Sequence, residues 1–198
     1  MESNGARALD LERVRFLAPS WNSRFYWGSV HSIDVKSIQV TKGEAIPARP
    51  VVIEVKKGKI PGDFLWNDLL LTVVSRRVVD LFKEKGFTGY TTYPVDFRDK
   101  SGSTLDYLGI AILGRAGRLD ADRSQAKRLK RSNGSYSSEI ATKGLYFDPH
   151  SWDGSDIFIV AEVPGQLLML ERVDKAMKAA GITNYKAHPL SDWRIPLP

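Results

Sequence analysis

Val73–Val95 reads VVSRRVVDLFKEKGFTGYTTYPV, and Leu168–Leu190 reads LMLERVDKAMKAAGITNYKAHPL. Shifted by 95 positions, Ser75–Val95 and Leu170–Leu190 share Arg77/Arg172, Val78/Val173, Lys83/Lys178, Gly86/Gly181, Thr88/Thr183, Tyr90/Tyr185 and Pro94/Pro189. Those 7 identities in 21 positions compare with roughly one or two between unrelated stretches, so an internal repeat is the first expectation. In each copy the apolar residues fall on one helical face: Val74, Val78, Leu81 and Phe82 in the first, Val173, Ala176, Met177 and Ala180 in the second. Each helix then meets a glycine. A left-handed Gly86 or Gly181 closing a Schellman cap brings Phe82 onto Phe87 and Met177 onto Ile182. A threonine and a tyrosine follow at strand spacing, and Pro94 or Pro189 removes a ladder donor. The expected fold class is α+β, with antiparallel or mixed sheets and two related strand–helix–strand units whose helices lie near 76–85 and 171–180.

Outward from these units, residues 1–20 read as a lead-in segment with a short helix around Asp10–Leu17, and residues 21–198 read as one α+β domain. Its N-terminal part, 21–60, is β-branched and aromatic between turns, with strands expected at Phe25–Val30, Ile33–Thr41 and Val51–Lys56. In the second of these the apolar alternation slips phase after Val35, which predicts a bulge near Lys36 and Ser37. Unit one spans 66–97, with a leading strand over Leu69–Val74 and Ser75 placed as N-cap. Unit two spans 152–193; Val163-Pro164-Gly165-Gln166 has the residues of a type II turn after a strand at Ile157–Ala161.

Between the units lies a basic middle segment, 107–135. After an apolar strand at Tyr107–Leu113 it carries Arg115, Arg118, Arg123, Lys127, Arg128, Lys130 and Arg131 against Asp120 and Asp122. A helix over Asp122–Lys130 would gather Arg123, Lys127, Arg128 and Arg131 near one face, ahead of a tip at Ser132–Ser135.

The chain has 198 residues, a formal net charge of +6 and no cysteine, which excludes disulfides, thiolate metal sites and a cysteine nucleophile. A basic balance suits an acidic protein partner or nucleic acid. The charged N-terminus lacks the apolar core of a signal peptide and no run is long enough to span a bilayer, so the expected setting is cytoplasmic, away from membranes. Neither a phosphate-cradling loop with Lys-Ser or Lys-Thr nor a Gly-x-Ser-x-Gly elbow occurs. His31, His150 and His188 are scattered. His150, Asp153 and Asp156 have a spacing that matches no recognised ligand pattern, so no metal, cofactor or catalytic group is expected.

Trp152-Asp153-Gly154-Ser155-Asp156-Ile157-Phe158, followed by Glu171-Arg172, Gly181-Ile182-Thr183-Asn184 and Pro189, resembles immunity family eleven of bacterial polymorphic toxin systems. Tyr107-Leu108-Gly109 and Leu119–Ser124 are similar to that family's middle segment, although the glycine within Tyr107–Leu113 departs from its pattern. The similarity covers roughly residues 66–193, and its motifs are structural. What the resemblance implies is a protein that binds a cognate toxin and neutralises it by occlusion, without catalysis. On that reading Arg115, Arg118, Arg123, Lys127, Arg128 and Arg131, joined by Trp152, Asp153 and Asp156, are the expected contact residues, and the toxin's docking face is expected to be acidic or neutral. The alternative is a nucleic-acid-binding module using 115–131.

Overall fold

The structure, a computed structural model, describes residues 8–130 and 136–195. After a 3-10 turn at Leu11–Arg13 the chain forms β1 (Val14–Pro19), β2 (Trp27–Ser32), α1 (Ser37–Thr41), β3 (Val51–Lys57), β4 (Trp66–Asn67), β5 (Thr72–Ser75) and α2 (Arg76–Glu84). It continues through β6 (Tyr90–Arg98), β7 (Thr104–Leu105), β8 (Tyr107–Ile112), β9 (Gly114–Ala116), β10 (Lys127–Lys130) and β11 (Tyr136–Lys143). The last part holds β12 (Ile157–Val160), β13 (Val163–Leu170), α3 (Glu171–Ala179), β14 (Tyr185–Pro189) and β15 (Arg194–Ile195).

The fold is α+β with mixed sheets. Seven strands form one sheet in the order β4-β2-β3-β6-β8-β5, with β7 beside β6. A second sheet runs β14-β1-β13-β12-β9, and a third β10-β11-β15. Parallel pairs join β3 to β6, β2 to β4 and β9 to β12, while the other pairs are antiparallel.

Both nine-residue helices, α2 and α3, stop in the same way. Gly86 and Gly181 have φ of +63° and +64°, and the N–H groups of Phe87 and Ile182 donate to the carbonyls of Phe82 and Met177. This is the Schellman pattern, and it sets the Phe82 and Phe87 rings edge to face at 5.8 Å. Val78, Phe82 and Phe87 from the first segment and Val173, Met177 and Ile182 from the second share one core cluster with Ile157, Ile159 and Met169. Each side chain of that kind contributes about 1.5–3 kcal/mol when buried. A second cluster, including Phe16, Phe147, Phe158 and Leu168, fills the five-stranded sheet's other face, and a third lies on the seven-stranded sheet around Ile53, Tyr93 and Phe97.

The segments also clasp each other through two aspartates. Asp63, ahead of α2, accepts from the N–H and hydroxyl of Thr183, in the turn after α3. Asp156, ahead of α3, accepts from the N–H and hydroxyl of Thr88, in the turn after α2. Each also holds the arginine of the helix it precedes, Arg77 for Asp63 and Arg172 for Asp156. Arg77 donates in addition to the carbonyl of Ala180 at the end of α3. Ser75 stands at the N-cap position, yet its hydroxyl goes to Asp63 at 2.7 Å instead of capping the helix.

Five expectations need correction. Residues 14–19 are no lead-in: β1 is an interior strand paired with both β13 and β14, and only Leu11–Arg13 is helical. Arg15 is tolerated there because its guanidinium reaches Glu171 at 3.1 Å. The phase slip in Ile33–Thr41 marks a change from extended chain to helix, not a bulge, and α1 turns Val40 inward while leaving Ile38 exposed. The leading strand of the first segment begins only at Thr72, after Leu70 adopts a φ of +57°. The reversal expected at Val163–Gln166 takes place at Ala161-Glu162, where Val160 pairs with Val163, and β13 runs straight through Pro164-Gly165.

The fifth correction is the basic helix, which does not form. Asp120 caps a turn by accepting from the Arg123 N–H, Gln125 takes a φ of +47° that ends any helical run, and Lys127–Lys130 becomes β10, paired with β11. The glycine inside the 107–112 strand has a local reason: a Cβ on Gly109 would lie 1.9 Å from the ring of Tyr93, its cross-strand partner.

Candidate binding surface

The residues singled out in the sequence divide by what already occupies them. Arg115 donates to the carbonyls of Ile112 and Gly114 at 2.8 and 2.9 Å and reaches that of Lys42, so its guanidinium knits the β8–β9 junction to the loop after α1. Its own N–H donates to Asp153 at 2.7 Å, and the other oxygen of Asp153 takes the Ser155 N–H at 3.0 Å. Trp152 is half-buried, with its indole N–H on the Ser155 carbonyl at 2.9 Å and its ring against Phe158. Asp156, expected as a contact residue, is 1% exposed and filled by Thr88 and Arg172; it is an internal clasp and not part of a docking face.

Arg118 and Lys127 are exposed. Arg123 lies over the Tyr146 ring at 4.1 Å and 3.9 Å from Glu12. Arg128 belongs to β10 by its backbone, and Arg131 and the Ser132–Ser135 tip lie outside the described residues. Acidic groups interleave with these cations: Glu162 accepts from the Leu119 N–H, and Asp120, Asp122 and Glu12 are exposed. The structure therefore brings Arg115, Trp152 and Asp153 together around Ser155 as scaffold, and over the described side chains of 118–127 cations and carboxylates are interspersed at the surface. Among the described residues no three His, Cys, Asp or Glu side chains converge as a metal-ligand set.

A different surface stands out, at the corner where the loop after β1 meets the end of β3. Trp21 is 75% exposed and holds a φ of +55°. A bulky residue in the left-handed region is a genuine outlier that costs on the order of 1–3 kcal/mol, and the surrounding structure must hold it there. Here the loop is tied on both sides of Trp21: the Ser20 hydroxyl donates to the Asn184 side chain, and Asn22 accepts from the Arg24 N–H through its side chain and from the Phe25 N–H through its carbonyl. The Trp21 ring stacks on Trp27 at 6.1 Å and 19°, and the Lys57 ammonium sits 4.9 Å above the Trp27 ring. Trp21, Phe25, Tyr26, Trp27 and Trp66 border a cleft of about 100 Å³ with Lys57 and Asn184.

Asn184 fixes the floor of this corner. Its side chain accepts from the Ser20 hydroxyl and donates to the Phe64 carbonyl, while its own carbonyl takes the Trp66 indole N–H, each at 2.7 Å. The corner is thus anchored to the turn after α3, more than a hundred residues away in sequence. Cations surround it: Arg24, Lys56, Lys57, Lys59 and Lys100 are exposed, and Lys100 bonds the Gly58 carbonyl at 2.9 Å. Of the nearby carboxylates, Asp99 is wrapped by its own loop through Ser101 and Ser103. Asp68 is pushed up by burial, but the Ser29 hydroxyl, the Val30 N–H and the charge of Lys56 outweigh that and hold it below the usual carboxylate range.

Tryptophans between strands are more often core, so the number of aromatics does not by itself mark this corner. The usable signal was local: Trp21 stands among Ser20, Asn22, Ser23 and Arg24, with no apolar neighbour to share a buried face. No protein-family model and no curated protein matches the chain.

Proposed function

We propose that this chain is an immunity-type binding protein, which neutralises a cognate toxin by covering it and performs no chemistry of its own. Trp21 carries the reading. An exposed, rigidly held tryptophan stacked on a second one is the kind of anchor that dominates protein interfaces, where a few Trp, Tyr and Arg side chains contribute 2 kcal/mol or more each, to order of magnitude. The role itself comes from the resemblance borne by Trp152–Phe158, Glu171-Arg172 and Gly181–Pro189, and a cytoplasmic setting follows from it.

The two strand–helix–strand segments are, on this reading, copies of one unit. Their seven shared residues and the reciprocal Asp63–Thr183 and Asp156–Thr88 bonds support that. The nucleic-acid alternative loses ground because Arg115 is spent on backbone carbonyls and Arg123 on Tyr146 and Glu12.

Co-expression with a candidate toxin domain, sought among the genes neighbouring its own, tests the role. Growth restored together with an equimolar complex is the expected result, and Trp21→Ala should weaken the complex at least about tenfold. Absence of both protection and complex overturns the proposal.

A further inference from the structure

We propose that the Trp21 corner takes an acidic segment of a protein partner, seating one apolar side chain in the cleft and placing carboxylates against the surrounding lysines. The inference rests on the reading of the chain as a binding protein and adds the chemistry of what it binds.

Three observations carry it. The cleft between Trp21, Phe25, Trp27 and Trp66 has a volume of about 100 Å³. Sites for free small molecules run to roughly 300 Å³ and more, so this one fits a single side chain. The rim is cationic: Arg24, Lys57, Lys59 and Lys100 are exposed and outnumber the nearby Asp99, which accepts from Ser101 and Ser103 of its own loop, and Asp68, which accepts from the Ser29 hydroxyl and the Val30 N–H. The aromatic arrangement favours protein over a single-stranded nucleic acid. Such strands need successive free ring faces for successive bases, whereas Trp21 covers one face of Trp27 and Lys57 sits over that ring too. One outward tryptophan face beside one small cleft matches an aliphatic or aromatic anchor flanked by acids.

The purified chain, labelled with 15N, can be titrated with the peptide acetyl-Glu-Asp-Leu-Glu-Asp-Leu-amide while the indole N–H signals are followed. The expected result is a progressive shift of the Trp21 and Trp27 indoles with a Kd below about 1 mM. The Trp66 indole, bonded to the Asn184 carbonyl, should move less. Replacing the acids of the peptide by lysine should abolish the shifts, and Trp21→Ala or Lys57→Glu should each weaken binding at least about fivefold with the thermal midpoint unchanged. Silent indoles at about 5 mM peptide overturn the inference, as does tighter binding of the oligonucleotide dT12 with the steep salt dependence of phosphate contacts. Because the probe is synthetic, this outcome is separate from the toxin assay: protection that survives both substitutions leaves the immunity role standing and removes the corner from it.

Discussion

After Thr88 comes Gly89, and after Thr183, at the corresponding position, comes Asn184. Both have positive φ, +91° and +61°. At Gly89 the Ile157 carbonyl approaches so closely that a Cβ would lie 2.0 Å from it. At Asn184 the facing carbonyl is that of Phe64, which receives the side-chain amide, and the amide oxygen takes Ser20. One turn is closed by the absence of a side chain, the other by the reach of one. The second is the footing of the Trp21 corner, so a position with positive φ in both segments supports a surface feature in only one.

The comparison can be broken most severely at the clasps. Asp63→Ala and Asp156→Ala should each lower stability by about 3 kcal/mol, since several hydrogen bonds to a buried carboxylate disappear at once. Urea midpoints that move for one variant and stay fixed for the other would refute the reciprocity. Exchanging the divergent residues comes next. Gly89→Asn should cost about 2 kcal/mol through the clash at Ile157. Asn184→Gly should cost about 1 kcal/mol and also shift the Trp21 and Trp66 indole signals, which Gly89→Asn should leave in place.

The helix stops rank with the second of these exchanges. Gly86→Ala and Gly181→Ala should each cost about 1 kcal/mol, nearly equally, because the penalty lies in the left-handed backbone and neither site is crowded. The smallest contrast is between Tyr90 and Tyr185. Burial raises the pKa of both; that of Tyr185 rises further because it faces the Asp174 carboxylate and donates to it, where the first helix has Val79. A folded-state pKa raised above the ordinary value near 10 contributes stability in full below about pH 10 and loses it as pH rises beyond. Followed by absorbance at 295 nm, Tyr90→Phe should therefore remove a component that ionises at lower pH than the one Tyr185→Phe removes, and Tyr185→Phe should flatten part of the alkaline loss of stability.

Both helices and their glycine stops were legible because a helix announces itself in the chain: apolar residues at i, i+3 and i+4, then glycine. β1 was hidden because Arg15, close after Arg13, interrupts its apolar residues, and the acid that neutralises Arg15 arrives from α3. The cations of 123–131 suggested a helical stripe, yet the outcome turned on Gln125 entering the left-handed region and on Ser124 burying its hydroxyl against the Tyr146 backbone. Asp156 read as a surface acid because its partner Thr88 lies 68 residues away. The aromatic corner depends on a bond between Ser20 and Asn184, 164 positions apart, which no local pattern encodes. The misreadings of β1, Asp156 and the aromatic corner share one cause, a distant residue that decides the local state.

The crossed aspartates carry one more consequence. Each half of the molecule holds the acid that completes the other half's turn, so neither is chemically finished by itself. The same requirement would be met if two identical halves faced each other about a twofold axis, as in an isologous pair. Within a single polypeptide the covalent link removes the concentration dependence of such an assembly, and it frees the two faces to differ. Within this chain they do differ, with glycine at 89 and asparagine at 184.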